Sequence, residues 1–105
     1  MTAKVELQTD GCLKLSGSLN FTSVAALYSK GLKLLREKSN GRVDLTASTA
    51  DDSSGLALLL EWYRFALKHH QLRLQFVGVP KQLMAIAKVS GLDKILSFQV
   101  KSCND

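Results

Sequence analysis

The stretch Val43–Leu60, VDLTASTADDSSGLALLL, decides how this chain is read. It opens as a short apolar strand over Val43 to Leu45, passes through small and polar residues, and reaches Asp51, Asp52, Ser53, Ser54 and Gly55. A run of leucines follows. The leading N–H groups of a helix lack partners within the helix, and short oxygen-bearing side chains satisfy them. Asp52 to Gly55 therefore reads as a capped strand-to-helix turn, with hydroxyls and main-chain donors at the positive end of the helix dipole. Over residues 53–69, steps of about 100° place Leu56, Leu59, Leu60, Tyr63, Ala66 and Leu67 on one arc, the core face. Glu61, Arg64 and Lys68 form a solvated wedge. Leu58, Trp62 and Phe65 make a second apolar stripe, which either packs against flanking helices or serves as a partner surface anchored by Trp62.

Upstream, residues 4–9 alternate, Asp10-Gly11 signals a turn, and residues 12–18 alternate again, which predicts an opening hairpin. Gly17 interrupts the second strand, which reads as a bulge or a close backbone approach where the strand leaves the sheet. Asn20, Thr22 and Ser23 offer N-caps for a helix to about residue 38, carrying Val24, Leu27, Tyr28, Leu32 and Leu35 at helical spacing and closed by Ser39-Asn40-Gly41. Downstream, residues 72–77 alternate as a strand ended by Gly78. Pro80 opens a helix terminated by Gly91, Leu92 to Leu96 forms a short turn, Ser97 to Val100 an edge strand, and residues 101–105 a polar tail. The order ββαβαβα(α)β predicts an α/β fold: one mixed sheet with an opening hairpin and helices packed on it.

A length of 105 residues and 46% hydrophobic content fit one domain with one core. The N-terminal segment reads as a strand and not as a secretory signal, and no apolar run approaches a membrane span. These features predict a protein that stays in the compartment where it is made. Cys12 and Cys103 match no CxxC or ligand spacing and read as reduced thiols. The net charge of +5 comes from dispersed lysines and arginines, a solvated exterior without a nucleic-acid signature.

Catalytic patterns are missing. There is no GxxxxGK[ST], GxGxxG or GxSxG. His69 and His70 end the helix whose start carries the serines, about 22 Å away at the helical rise, which excludes a Ser/His mechanism on that helix. Adjacent histidines face different ways and have no third ligand in view, so no metal is assigned. Asp51 and Asp52 diverge as adjacent residues do, and capping accounts for Asp52. No convergent polar pocket for a small molecule is visible. The sequence implies neither enzyme activity nor a cofactor.

Three segments, LSGSLNFTS (15–23), VDLTASTADDSSGLALLL and LRLQFVGVPKQLMAIAKVSGLDKIL (72–96), together resemble the STAS domain family (sulphate transporter and anti-sigma factor antagonist) across nearly the whole chain. The GLALLLEWYR continuation is most similar to the stand-alone MlaB-type members of Gram-negative bacteria. That resemblance implies a STAS fold and a cytoplasmic, non-enzymatic subunit. It would dock on the ATPase of an ABC transporter that moves phospholipid between inner and outer membranes and supports outer-membrane lipid asymmetry. Membrane contact would be indirect, through the transporter. The alternative it implies is an anti-sigma factor antagonist switched by an anti-sigma factor kinase. Ser53 falls where MlaB-type members carry a hydroxyl residue in the partner-contact region. Ser54 falls where anti-sigma factor antagonists carry their phosphorylatable serine, a position often Gly or Ala in MlaB-type members, while Asp51 stands where an apolar residue is common. The expected partner contact comprises Asp52, Ser53, Ser54, Gly55, Leu58 and Trp62, with Asn20, Phe21 and Thr22 beside them. A phosphate on Ser54 would meet a favourable dipole but also Asp51 and Asp52, and is expected to weaken that contact.

Overall fold

The computed structural model describes residues 3–37, 40–50 and 52–99. Its elements are β1 (Lys4–Leu7), β2 (Leu13–Leu19), α1 (Val24–Leu35), β3 (Arg42–Ala50), α2 (Ser54–His70), β4 (Gln75–Val77), α3 (Lys81–Ser90), a 3₁₀ turn at Leu92–Lys94 and β5 (Ser97–Gln99). The predicted order and class are observed. Val100 and the expected tail at 101–105 lie outside the described residues, as do Lys38, Ser39 and Asp51.

The five strands form one mixed sheet in the order β1-β2-β3-β4-β5. β1 and β2 pair antiparallel across the Asp10-Gly11 turn, and the remaining pairs are parallel. Every crossover steps to the next strand in the same direction, so connections of one hand lay α1, α2 and α3 on a single face. The core lies between that face and the sheet, where Leu13, Leu15, Leu19, Val43, Leu45, Leu59 and Phe76 are fully or almost fully buried.

β3 is longer than its apolar start predicts, because Ala47 to Ala50 continue to pair with Ser16 to Leu19. Lys14 faces Asp44 but Ser16 faces Ala47, so β3 carries one extra residue and the bulge lies there, not in β2 at Gly17. Local bonds hold it: Ser48 Oγ donates to the Leu45 carbonyl at 2.8 Å and Thr46 N donates to Asp44 Oδ1 at 2.9 Å. The extra residue switches the inward set from Val43 and Leu45 to Ser48 and Ala50.

α1 ends at Leu35, earlier than the predicted residue 38, and α2 ends at Gln71 in the left-handed conformation. Beside the sheet, α1 and α2 meet at Trp62. The indole lies on Gly31, is fully buried, and donates Nε1–H to the Tyr28 carbonyl at 3.3 Å. This settles the second stripe of α2. Leu58 is 4% exposed and Phe65 half-buried, so the stripe packs against α1, whereas Leu67, expected in the core, is 42% exposed. Cys12 is disulfide-bonded, which corrects the expectation of a reduced thiol; Cys103 lies outside the described residues.

A Cβ at Gly31 would fall inside the van der Waals envelope of the indole ring. Overpacking costs typically about 1–3 kcal/mol, against a gain of about 1 kcal/mol in helix propensity for Gly to Ala. Gly31→Ala is expected to lower the urea unfolding midpoint, and Gly31→Val, without the propensity gain, to lower it further.

Candidate functional site

Parallel pairing of β2 with β3 ends in register at Leu19 and Ala50. The loops that leave these two strands, into α1 and into α2, therefore emerge side by side. Asp52 joins them: Oδ1 accepts from Ser54 N at 2.8 Å, and Oδ2 accepts from Phe21 N at 3.3 Å. These donors favour the charged carboxylate. The backbone N–H of Ser54 is the main cause of a pKa below the ordinary aspartate value; the Ser54 hydroxyl adds to it, a little burial opposes it, and the Phe21 N–H contributes last. Asp52 is thus the working cap, while Ser53, at the N-cap position, makes no side-chain cap bond.

The first loop is fixed by its own side chains. Asn20 Oδ1 accepts from Thr22 N at 3.0 Å, Thr22 Oγ1 at 2.7 Å and Ser23 N at 3.1 Å. Ser23 Oγ accepts from Asn20 N at 3.0 Å and donates to the Ser18 carbonyl at 2.9 Å. Such side-chain bonds hold a turn without a ladder. They leave Phe21 pointing outward, 80% exposed.

Next to this turn an open groove of about 450 Å³ runs between α1 and α2, lined by Val24, Ala25, Tyr28, Ser54, Ala57, Leu58 and Glu61. The structure thus gathers Asn20, Phe21, Thr22, Asp52, Ser53 and Ser54 at one end of the molecule, with the groove-side edge of Leu58. Two residues of the expected contact belong elsewhere. Trp62 is buried under α1 and cannot anchor a partner directly. Gly55 is buried against Leu19 and Leu83, where a Cβ would sit 3.1 Å from Leu19 Cβ. Sequence reasoning missed Val24, Ala25, Tyr28 and Ala57 as surface. The signal was there in the i, i+4 pair Val24 and Tyr28, but without the position of α2 that pair reads as core.

The arrangement offers hydroxyls, a capped helix end and apolar walls, with the Asp52 carboxylate held by the first turn of α2 and by Phe21 N. His69 and His70 lie at the far end of the 17-residue α2, both against the Phe65 ring. Among the described residues no group of three His, Cys, Asp or Glu is placed to hold a metal ion, and no helix is long and apolar enough to cross a membrane.

A mixed sheet with helices on one face and its exposed loop pair at the ends of two parallel strands defines a small domain of the α/β class. The chain belongs to the STAS domain family: the family model described as Mlab, STAS domain matches residues 4–97. Domains of this family are regulatory modules that act through protein–protein contacts. No curated protein matches the chain. Solved structures share its fold. An anti-sigma-factor antagonist (STAS) domain protein from Planctomyces limnophilus is 15% identical with a TM-score of 0.72, the match covering 96% of this chain and 92% of that one. An anti-sigma factor antagonist from Mycobacterium paratuberculosis is 21% identical with a TM-score of 0.71, over 93% and 84% of the two chains. The anti-sigma factor antagonist SpoIIAA in its unphosphorylated form is 18% identical with a TM-score of 0.69, over 92% and 87%.

Asp52 has its folded pKa depressed, so its stabilising contribution is present above the unfolded value of about 3.9 and is lost as pH falls through the lower folded value. Asp52→Asn is expected to melt below the wild type at pH 7. The gap should close as the pH is taken below 4, measured by circular dichroism.

Proposed function

We propose that this chain is a non-enzymatic STAS subunit that binds and regulates the cytoplasmic ATPase of a phospholipid ABC transporter of the Mla type. The observation that carries the reading is the apolar α1–α2 groove, continuous with the Ser53 and Ser54 turn and bordered by exposed Phe21, in a chain whose family model is described as Mlab. Exposed apolar surface beside an ordered polar turn is what a protein partner buries. In this reading the partner hydrolyses nucleotide and moves lipid. This chain sits in the cytoplasm, peripheral to the inner membrane, and reaches it only through the ATPase. It needs neither a metal nor a cofactor.

A second reading is favoured by one observation. Ser54 opens α2 with a half-buried hydroxyl at the helix N-terminus, in a fold shared with anti-sigma factor antagonists. There Ser54 would be phosphorylated by an anti-sigma factor kinase, and the added charge of about −1.5 to −2 would stand beside the Asp52 carboxylate.

The two readings separate experimentally. Ser53→Arg and Ala57→Arg change exposed residues and should leave the melting temperature near that of the wild type. Each is expected to weaken ATPase binding by tenfold or more, about 1.4 kcal/mol, in biolayer interferometry, and Ser54→Glu should weaken it as well. Undiminished binding by both arginine variants would remove the groove from the interface. Phosphate on Ser54 after incubation with an anti-sigma factor kinase and ATP, with no affinity for the ATPase, would replace the first reading by the second.

A further inference from the structure

The charge pattern of the groove names the chemistry of what it takes. α1 carries Lys30 and Lys33 and no acid; α2 carries Arg64 and Lys68 and a single acid, Glu61. In a chain of net charge +5, that carboxylate is, among the described residues, the charged group that lines the groove. Its partner within the chain is Arg64, one turn on, at 3.6 Å; both side chains are more than half exposed. An exposed pair of this kind contributes little and yields readily to a better-placed cation.

Ser54 and Glu61 are seven positions apart on α2, so they mark the same face two turns apart, roughly 10.5 Å along the axis. Between them the walls are apolar: Val24 and Tyr28 from α1, Ala57 and Leu58 from α2. A trough between two helices, with Ser54 and the Asp52 carboxylate behind it at one end and Glu61 at the other, is matched by a third helix that lays its apolar stripe along the walls. Docking would take Glu61 out of water, and a desolvated carboxylate needs a cation or donors.

We infer that the groove receives an amphipathic helix of the ATPase partner, carrying one Lys or Arg two turns from the residue that meets Ser54, with that cation paired to Glu61. The inference rests on the docking reading above and adds the sign and spacing of the charge on the incoming segment. A phosphate-bearing or acidic segment is disfavoured in the groove by the same carboxylate.

The test uses the full chain and the phospholipid-transporter ATPase of the same organism, with affinities measured at low and high NaCl. Wild-type binding is expected to weaken as salt rises. Glu61→Gln should lose roughly three- to tenfold at low salt and show a flatter salt dependence, as for other interfacial charge pairs. Arg64→Ala, which releases Glu61 from its internal pair, should bind more tightly than wild type. A Glu61→Gln variant that binds as wild type at both salt concentrations overturns the inference. If Ala57→Arg has meanwhile lost binding, the docking reading stands without it. If Ala57→Arg also binds normally, or the wild type does not bind the ATPase at all, both fall.

Discussion

Trp62 packed against Gly31 is the contact on which the shape of the helical layer depends. A glycine at this point of α1 lets the indole take the space a side chain would fill, and the Nε1–H finds the Tyr28 carbonyl three residues before it. That bond satisfies the one polar atom of an otherwise apolar and fully buried ring. α1 and α2 are held together along this line, and only their outer edges toward the N-termini remain apart. The groove is the consequence: it opens where the two helices no longer share the Trp62 contact. Trp62 thus shapes the groove from beneath without lining it.

Much of this was legible from the chain, and the rest was hidden for definite reasons. Strand and helix order followed from alternation, helical spacing and the glycines, since each reflects a local preference. The helical wheel placed Leu58, Trp62 and Phe65 correctly on a common stripe of α2. It could not say whether solvent or α1 covered them, because an angle on one helix carries no information about its neighbour. Gly31 was the missing half: a buried glycine inside a helix costs propensity and is kept where something packs on it. Leu67 went the other way, because the arc was drawn too wide toward the end of α2. β3 was underestimated since Thr46 to Ala50 contain little apolar surface, yet backbone pairing to β2 needs none. The bulge then changed the inward parity, so no single alternation runs along the strand.

Of the site, the polar turn was readable and the groove was not. Asp52, Ser53 and Ser54 stand together in sequence, and the Asn20 to Thr22 segment shows its turn chemistry directly. Their meeting depends on a long-range fact, the parallel register that brings Leu19 opposite Ala50. Asp52 then acts in both loops at once, one oxygen on the α2 start and the other on Phe21 N. Capping and loop positioning are one device: the carboxylate that finishes the helix also holds the backbone of the exposed Phe21.

This division explains why the two serines are not equivalent. Ser53 is exposed and makes no cap bond, so its hydroxyl is available to a partner at little cost to the fold. Ser54 is half-buried and its N–H is taken by Asp52, so its side chain is directed by the first turn of α2 into the groove wall. A phosphate there would gain from the helix dipole and lose against the Asp52 carboxylate, and its bulk would fill the groove end that Ser54 lines. In the proposed contact the same geometry would favour binding while Ser54 carries only a hydroxyl and oppose it once charge is added.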